Sequence, residues 1–252
     1  MGIGIGLVAA RVAKLNVHSR RDWRFLDKLL VKDIGKGKCT EDERSEVKAR
    51  ISSAGSIQEM SHADFVVEAV SENPQLKHTI FSQLSERLPE DTILATNTSS
   101  ISITKIASAA KRPDNVIGMH FMNPVPVMKL TSQATLDTTL ALAHKMGKTT
   151  TMSQDVPGFI ANRLLMPYIN EAMIALQEGI ASKEDIDTTM KLGTNNPMGP
   201  LTLADFIRAG HVLHNELGDS KYRPAVLLQK YVDAGWLGVK SGKGIYDYPA
   251  KK

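Results

Sequence analysis

A hydroxyl-rich turn and a histidine follow two apolar segments near the middle of the chain. The turn Asn97-Thr-Ser-Ser100 comes directly after the apolar run 92–96, and His120 comes directly after the run 116–119. If these runs are neighbouring parallel strands, both groups lie at the carboxyl edge of a sheet, where open α/β sheets bind their ligands. Histidine titrates near neutral pH and can accept a proton from a hydroxyl group. The spacing therefore predicts a functional site with His120 as a candidate general base.

Both candidate groups also have an ordinary structural role. A histidine at the end of a strand is often satisfied by a backbone carbonyl group, and a serine at a strand-to-helix turn often caps the helix. For His120 taken alone the structural role is favoured, and for Ser99 the two roles are evenly balanced. The residues by themselves leave both alternatives open.

The surrounding segments alternate between strand-like and helix-like patterns. Short apolar runs predict strands and longer periodic segments predict helices. The strands cover 65–70, 92–96, 116–119 and 148–152, and the helices cover 74–88, 101–110 and 136–146. After Pro157 only helical patterns follow, and the first of them, 159–178, is apolar on almost every face. We therefore predict a Rossmann-type, doubly wound α/β sheet in residues 1–154 and an all-helical domain in residues 155–252.

The N-terminal glycines fit a dinucleotide-binding pattern only in part. That pattern is a strand, the motif G-x-G-x-x-G and a helix, with an acidic residue on the following strand. Here the spacing from Gly2 to Gly6 is G-x-G-x-G, no strand precedes it, and the segment 7–14 is already helix-like. Val17 then runs into polar residues without an apolar strand. We expect the first strands to be missing or degenerate and dinucleotide binding to be weak.

The stretch 95–130 closely resembles the core of the 3-hydroxyacyl-CoA dehydrogenases, the NAD-dependent enzymes of fatty-acid β-oxidation. The resemblance rests on N-T-S-S at 97–100, on G-M-H-F-M-N-P at 118–124 and on M-K-L at 128–130. It is specific again between residues 154 and 199. It implies NAD as cofactor, a short-chain (S)-3-hydroxyacyl-CoA such as 3-hydroxybutyryl-CoA as substrate, and a 3-oxoacyl-CoA as product.

The same resemblance implies roles for individual residues. His120 would be the catalytic base, Ser99 would bind the substrate oxygen and approach the cofactor, and Asn162 would reach the substrate carbonyl group. The positions that correspond to cofactor contacts are Gly2, Glu72, Lys77, Ser99, Asn123 and Lys240. The helical domain would bind substrate and pair two subunits into a homodimer. The basic segment 28–38 would meet CoA.

The chain departs from the family pattern at the residue that orients the histidine. In the family a glutamate follows M-K-L on a strand, whereas here Ser132 stands at its place and part of that strand is missing. An imidazole without this carboxylate loses a fixed tautomer and the stabilisation of its protonated form. Residues 204–210 also lack part of a helix. We interpret such gaps as lost coding segments, and we expect impaired activity.

Composition argues against several other classes of protein. The chain has 252 residues and a net charge of +4, but the basic residues are scattered, so binding to nucleic acid is not predicted. A mild positive charge also suits an anionic cofactor or a CoA ester. The single cysteine, Cys39, excludes an internal disulfide and a cysteine-built metal site, and we predict no metal. No apolar run approaches the ~20 residues of a membrane span. We expect a soluble intracellular protein, cytoplasmic by default, with an organelle left open.

Three other interpretations fit parts of the sequence. A hydroxyacid dehydrogenase with a lysine base would also have two such domains, but the T-S-S and H-F-M-N-P elements argue against it. A non-catalytic relative that binds CoA or dimerises would keep the helical half, and the missing glutamate favours it. The third interpretation is a truncated product that does not fold stably alone. Cofactor binding separates the first two from the third, and turnover separates an enzyme from an inactive relative.

Overall fold

The computed structural model describes residues 2–18, 24–122, 125–129, 131–207 and 218–248. Contacts within the chain divide it into two compact units, Met1–Val156 and Pro157–Lys252. Within the described ranges, no helix is long and apolar enough to cross a membrane.

The main sheet of the first unit has five strands in chain order. They are β3 (Phe65–Glu68), β4 (Ile93–Thr96), β5 (Val116–Met119), β6 (Val125–Lys129) and β7 (Thr150–Gln154). The pairs β3–β4, β4–β5 and β6–β7 are parallel, and the pair β5–β6 is antiparallel. The predicted Rossmann-type sheet is confirmed, but the strand β6 and its antiparallel direction were not predicted. The connection from β5 to β6 is too short for the crossover that a parallel pair needs.

The helices of this unit connect the strands. They are α1 (Gly2–Ala10), α2 (Arg24–Ile34), α3 (Glu41–Ala49), α4 (Pro74–Arg87), α5 (Ile103–Ala107) and α6 (Gln133–Lys145). Every residue of β4 and β5 is buried, and α6 contributes buried residues to the same core. Strands that are covered on both faces read as continuous apolar runs, which is why the sequence identifies β3, β4 and β5.

The start of the chain differs from the prediction. Leu15–Val17 forms a strand, β1, which pairs in parallel with β2 (Ile51–Ser53) in a separate two-stranded sheet. The expectation that no strand occurs at Val17 is therefore wrong. Both strands have three residues, too few to show a periodic pattern. Side chains from α1, α2 and α3 bury this region, including Ala10, Leu30 and Val47, so tertiary packing supplies what the local sequence does not.

The second unit is built from helices. They are α7 (Ala161–Gln177), α8 (Lys183–Gly193), α9 (Pro200–Ile207) and α10 (Val226–Asp233). Its core includes the buried residues Ile169, Met173 and Leu201. Ser182 caps α8 by accepting a hydrogen bond from the amide of Asp185, and a serine followed three residues later by an acidic residue is typical of such a helix start. The helical C-terminal domain is confirmed.

Candidate active site at the carboxyl ends of the strands

The carboxylate of Glu72 accepts hydrogen bonds from the hydroxyl groups that follow β4. Glu72 itself follows β3, and its oxygens accept hydrogen bonds from Thr98 Oγ1 at 2.9 Å and from Ser99 Oγ at 2.7 Å. The backbone amide of Ser99 donates to the same carboxylate. Three donors on one carboxylate fix the turn and the direction of the Ser99 hydroxyl group. Glu72 remains 39% exposed, so the arrangement is open to a ligand.

Residues other than Ser99 cap the helix that follows the turn. Ser102 caps α5 by accepting from the amide of Lys105. Asp155, at the end of the first unit, accepts from the amides of Ile103 and Thr104 at 2.8 Å each. Burial raises the pKa of Asp155, but its hydrogen bonds with Thr104, Ile103 and Ser102 outweigh burial and lower the pKa overall. The capping alternative for Ser99 is therefore wrong, and its hydroxyl group is bound to Glu72.

His120 lies at the same edge of the sheet as Ser99. The register pairs Thr96 of β4 with Gly118 of β5 in parallel, so the residues that follow both strands leave the sheet together. The side-chain oxygen of Asn97 accepts from the amide of Phe121 at 2.7 Å and ties the two turns to each other. The sheet therefore brings His120 to the edge where Glu72 holds Ser99.

The surroundings of His120 favour its neutral form. Burial lowers the pKa of the imidazole below its usual 6.5, and the negative charge of Glu72 opposes this effect by raising it. The net shift is downward, so the ring is neutral at neutral pH and can accept a proton. Glu72 therefore acts on both candidate groups, through hydrogen bonds on Ser99 and through its charge on His120.

Ser132 does not stand where the histidine needs a carboxylate. Its side chain caps α6 by accepting from the amide of Thr135, and its own amide donates to the carbonyl of Asp114 at 3.1 Å. Asp114 precedes β5, whereas His120 follows it. Because a strand of four residues is roughly 13 Å long, Ser132 lies at the opposite end from the imidazole. The placement of Ser132 on a strand beside His120 is corrected to a helix cap.

A buried ion pair that was not predicted from the sequence lies next to Glu72. Lys77, on α4, is completely buried, and its ammonium group lies 2.8 Å from each carboxylate oxygen of Glu68, the last residue of β3. Thr96 Oγ1 and the amide of Val70 also donate to Glu68. A glutamate inside the apolar run F-V-V-E-A-V was the signal in the sequence, since a buried carboxylate requires partners.

Gly2 begins α1 and lies beside the end of β3. A Cβ atom on Gly2 would lie 3.7 Å from the Cβ of Ala69, the residue after β3. Gly2 and Gly4 are both exposed at the N-terminus of this helix. Exposed amides at a helix N-terminus suit a phosphate group. The assignment of Gly2 to the cofactor stays a prediction.

Two of the remaining predicted residues, Asn162 and Lys240, belong to the second unit. Asn162 is in the first turn of α7, and its amide donates to the carbonyl of Gly158. Lys240 is exposed in a turn of the second unit, where the amide of the preceding Val239 donates to the carbonyl of Asp205. Asn123 lies outside the described residues. Lys77 is described, but its ammonium group is turned inward to Glu68.

Two models of protein families together match nearly the whole chain. Residues 1–156 match the 3-hydroxyacyl-CoA dehydrogenase NAD binding domain, and residues 158–248 match the C-terminal domain of the same enzymes. The chain is similar to a protein of Bacillus subtilis named "Probable 3-hydroxybutyryl-CoA dehydrogenase", with 54% identity over 272 aligned positions that cover 100% of this chain and 95% of the relative. The alignment is longer than the 252 residues of this chain, so it contains gaps on this side.

Other comparisons agree with these. A 3-hydroxybutyryl-CoA dehydrogenase of Bradyrhizobium diazoefficiens is 44% identical over 237 residues, which cover 88% of this chain and 81% of the relative. The crystal structure of an (S)-3-hydroxybutyryl-CoA dehydrogenase from Ralstonia eutropha superposes with a TM-score of 0.93 at 41% identity and covers 98% of this chain and 95% of the other.

Proposed function

The chain belongs to the 3-hydroxyacyl-CoA dehydrogenase family, and from this premise we propose that it oxidises the 3-hydroxyl group of a short-chain (S)-3-hydroxyacyl-CoA with NAD. The observation that carries this proposal is the common edge of the sheet at which Glu72 holds the Ser99 hydroxyl group and His120 follows the next strand. Relatives named for 3-hydroxybutyryl-CoA support a short acyl chain. A role in β-oxidation is part of the proposal.

In this reaction the chain supplies a base and an oriented hydroxyl group. The neutral imidazole of His120 would accept the proton of the substrate hydroxyl group. The Ser99 hydroxyl group would turn from Glu72 to donate to the oxygen from which that proton leaves, while its amide stays bonded to Glu72. Asn162 would reach the substrate carbonyl group. The geometry favours His120 as the base because burial keeps its ring neutral.

NAD, when bound, supplies the acceptor for the hydride. The residues that fit it are the exposed amides at the start of α1 around Gly2 and the partly exposed carboxylate of Glu72. Asn123 and Lys240 complete the proposed set. Lys77, the remaining predicted position, is buried against Glu68 and would act on the cofactor through Glu72.

The activity is tested by following the absorbance of NADH with saturating acetoacetyl-CoA. We expect turnover below the usual enzyme range of ~1–10³ per second, because among the described residues no carboxylate is hydrogen-bonded to the imidazole of His120 to orient it. Turnover should depend on Ser99 and His120. Binding of NADH without any turnover would instead support the alternative, a non-catalytic relative that binds CoA or dimerises.

The two halves of the chain carry different parts of the proposed function. We assign residues 1–154 to NAD binding and residues 155–252 to substrate binding and formation of a homodimer. Large apolar side chains in the second unit support the homodimer, since Leu164 on α7 is 69% exposed and Leu192 on α8 is 75% exposed. Sedimentation equilibrium of the full chain at tens of micromolar tests this. A monomer at that concentration would contradict it.

A further inference from the structure

The ion pair of Glu68 and Lys77 is buried beside the hydrogen bonds that orient Ser99. The side chain of Glu68 is 2% exposed and that of Lys77 is 0% exposed. The carboxylate also accepts from Thr96 Oγ1 at 2.7 Å and from the amide of Val70 at 2.6 Å. Glu68 is therefore fully occupied by the protein and cannot touch a substrate or a cofactor.

Lys77 lies between two carboxylates. Its ammonium group is 2.8 Å from both oxygens of Glu68 and 3.8 Å from an oxygen of Glu72. Glu72 is the carboxylate that accepts from the amide and the hydroxyl group of Ser99. The same ammonium group can therefore be paired with the buried carboxylate or with the one that orients Ser99.

If Glu68 lost its charge, Lys77 would pair with Glu72 instead of Glu68. A buried charge that loses its partner is strongly unfavourable, so the ammonium group of Lys77 would seek the next carboxylate. That group is Glu72, and a displacement of about 1 Å would close the distance to that of a charge-assisted hydrogen bond. Glu72 is partly exposed, whereas Glu68 is buried, so the Glu72 carboxylate has room to turn. Its Oε2 atom is the one near Lys77, and a turn that brings Oε2 to the ammonium group would draw Oε1 away from the amide and the hydroxyl group of Ser99.

We propose that Glu68 is a positioning residue, which neutralises Lys77 and so leaves Glu72 free to hold Ser99. The importance of this for catalysis rests on the proposed function, but the geometry involves no ligand. Lys77, which the resemblance predicts as a cofactor contact, would on this proposal act inside the protein, through its effect on Glu72.

The test follows the Ser99 amide in the full, isotope-labelled chain by NMR. In Glu68→Gln the amide should lose its bond to Glu72, so its proton resonance should move upfield and its hydrogen exchange should become about tenfold faster. Thr96→Val is the matched control, because it removes a hydrogen bond to the same carboxylate and keeps the charge. In Thr96→Val the Ser99 amide should stay as in the unmodified chain.

An unchanged Ser99 amide in folded Glu68→Gln would overturn the proposal. If that variant does not fold, the double variant Glu68→Gln with Lys77→Met carries the test, because it contains no ammonium group to attract Glu72. The Ser99 amide should then keep its slow exchange, and fast exchange would overturn the proposal.

A kinetic measurement adds the functional consequence. In Glu68→Gln the KM for acetoacetyl-CoA should rise about tenfold with a smaller change in kcat, since the loss is in holding Ser99 rather than in the base. If Thr96→Val loses as much stability as Glu68→Gln but its KM does not change, the rise in KM in Glu68→Gln is not caused by lost stability. If the unmodified chain has no turnover, the proposed function fails, whereas the amide measurement still tests Glu68.

Discussion

Carboxylates organise both units of the chain, but in opposite ways. In the second unit Asp205 is buried and accepts from the amides of Ile245 and Tyr246 at 2.9 Å each. In the first unit Glu72 accepts a similar number of hydrogen bonds, but it is partly exposed and one of its donors is the hydroxyl group of Ser99. The first carboxylate holds backbone in place, and the second holds a side chain that a ligand can reach.

The surroundings of Asp205 show why it is structural. Gly238 and Gly244 approach it so closely that a Cβ atom on either would overlap Asp205, and Gly238 has a φ of +81°. Asp187 is similar, since its oxygens accept from the amides of Leu201 and Thr202 at the start of α9. A buried carboxylate that accepts from backbone amides stabilises the fold, whereas a partly exposed one at a strand end can orient a reactive group.

The largest effect is expected at the strand edge. His120→Ala should lower kcat by roughly 10²- to 10⁴-fold, the usual contribution of a positioned general base, while the thermal midpoint changes little. NADH absorbance with acetoacetyl-CoA measures it. His62→Ala, which changes an exposed histidine of the same unit, is the control and should have normal turnover. If His120→Ala keeps full turnover, His120 is not the base. The claim that the strand edge of the first unit is functional, unlike the carboxylates of the second unit, would then be wrong.

The opposite response is expected in the second unit. Asp205→Ala should lower the free energy of unfolding by about 2–5 kcal/mol, because the buried amides of Ile245 and Tyr246 lose their acceptor. Urea denaturation measures the change. Asp233→Ala removes an exposed aspartate of α10 that is bonded to Gln229, and it should change stability by less than about 0.5 kcal/mol. If the two variants lowered the free energy of unfolding equally, the burial of Asp205 would not explain its contribution to stability.

Glu72→Gln tests the partly exposed carboxylate. The KM for acetoacetyl-CoA should rise about three- to tenfold, because an amide accepts more weakly than a carboxylate from Ser99. The charge of Glu72 raises the pKa of His120, so its removal lowers that pKa further. The pH profile is measured in the direction of oxidation, with 3-hydroxybutyryl-CoA and NAD. Oxidation is lost as the pH falls and the imidazole is protonated, so the acidic limb of this profile should move to lower pH.

The control for Glu72→Gln is Glu86→Gln, which changes an exposed glutamate on α4. Its pH profile and KM should match those of the unmodified chain. A shift of the acidic limb to higher pH in Glu72→Gln would contradict the described electrostatics of His120.

The smallest effect is expected when the acid of the family pattern is restored at Ser132. Ser132→Glu should leave turnover unchanged relative to Ser132→Ala, because a charge shifts a pKa mainly within about 4–6 Å, and β5, roughly 13 Å long, separates the two sites. Both variants lose the cap of α6 and should be destabilised alike, by about 1 kcal/mol. Higher turnover in Ser132→Glu would show that this residue reaches His120.

The local sequence alone predicted two kinds of feature, namely strands that are buried on both faces and helix ends that neighbouring residues cap. The runs that became β3, β4 and β5 are covered on both faces, so their apolar character alone identifies them. The helix that starts at Pro74 and the cap of α8 by Ser182 depend on neighbouring residues only. The resemblance of residues 97–100 and 118–124 to a known family then supplied the roles of Ser99, His120 and Asn162, which stay predictions.

Other features depended on residues far apart in the chain, and the sequence did not predict them. The three-residue strands β1 and β2 exist because they pair with each other under a cover of helices. Ser132 became a helix cap because β6 pairs antiparallel with β5. The choice of Glu68 as the partner of Lys77, and of Glu72 as the partner of Ser99, requires β3, α4 and β4 to meet. Sequence periodicity reports burial along one segment, whereas the partners of a polar group are fixed only by tertiary contacts.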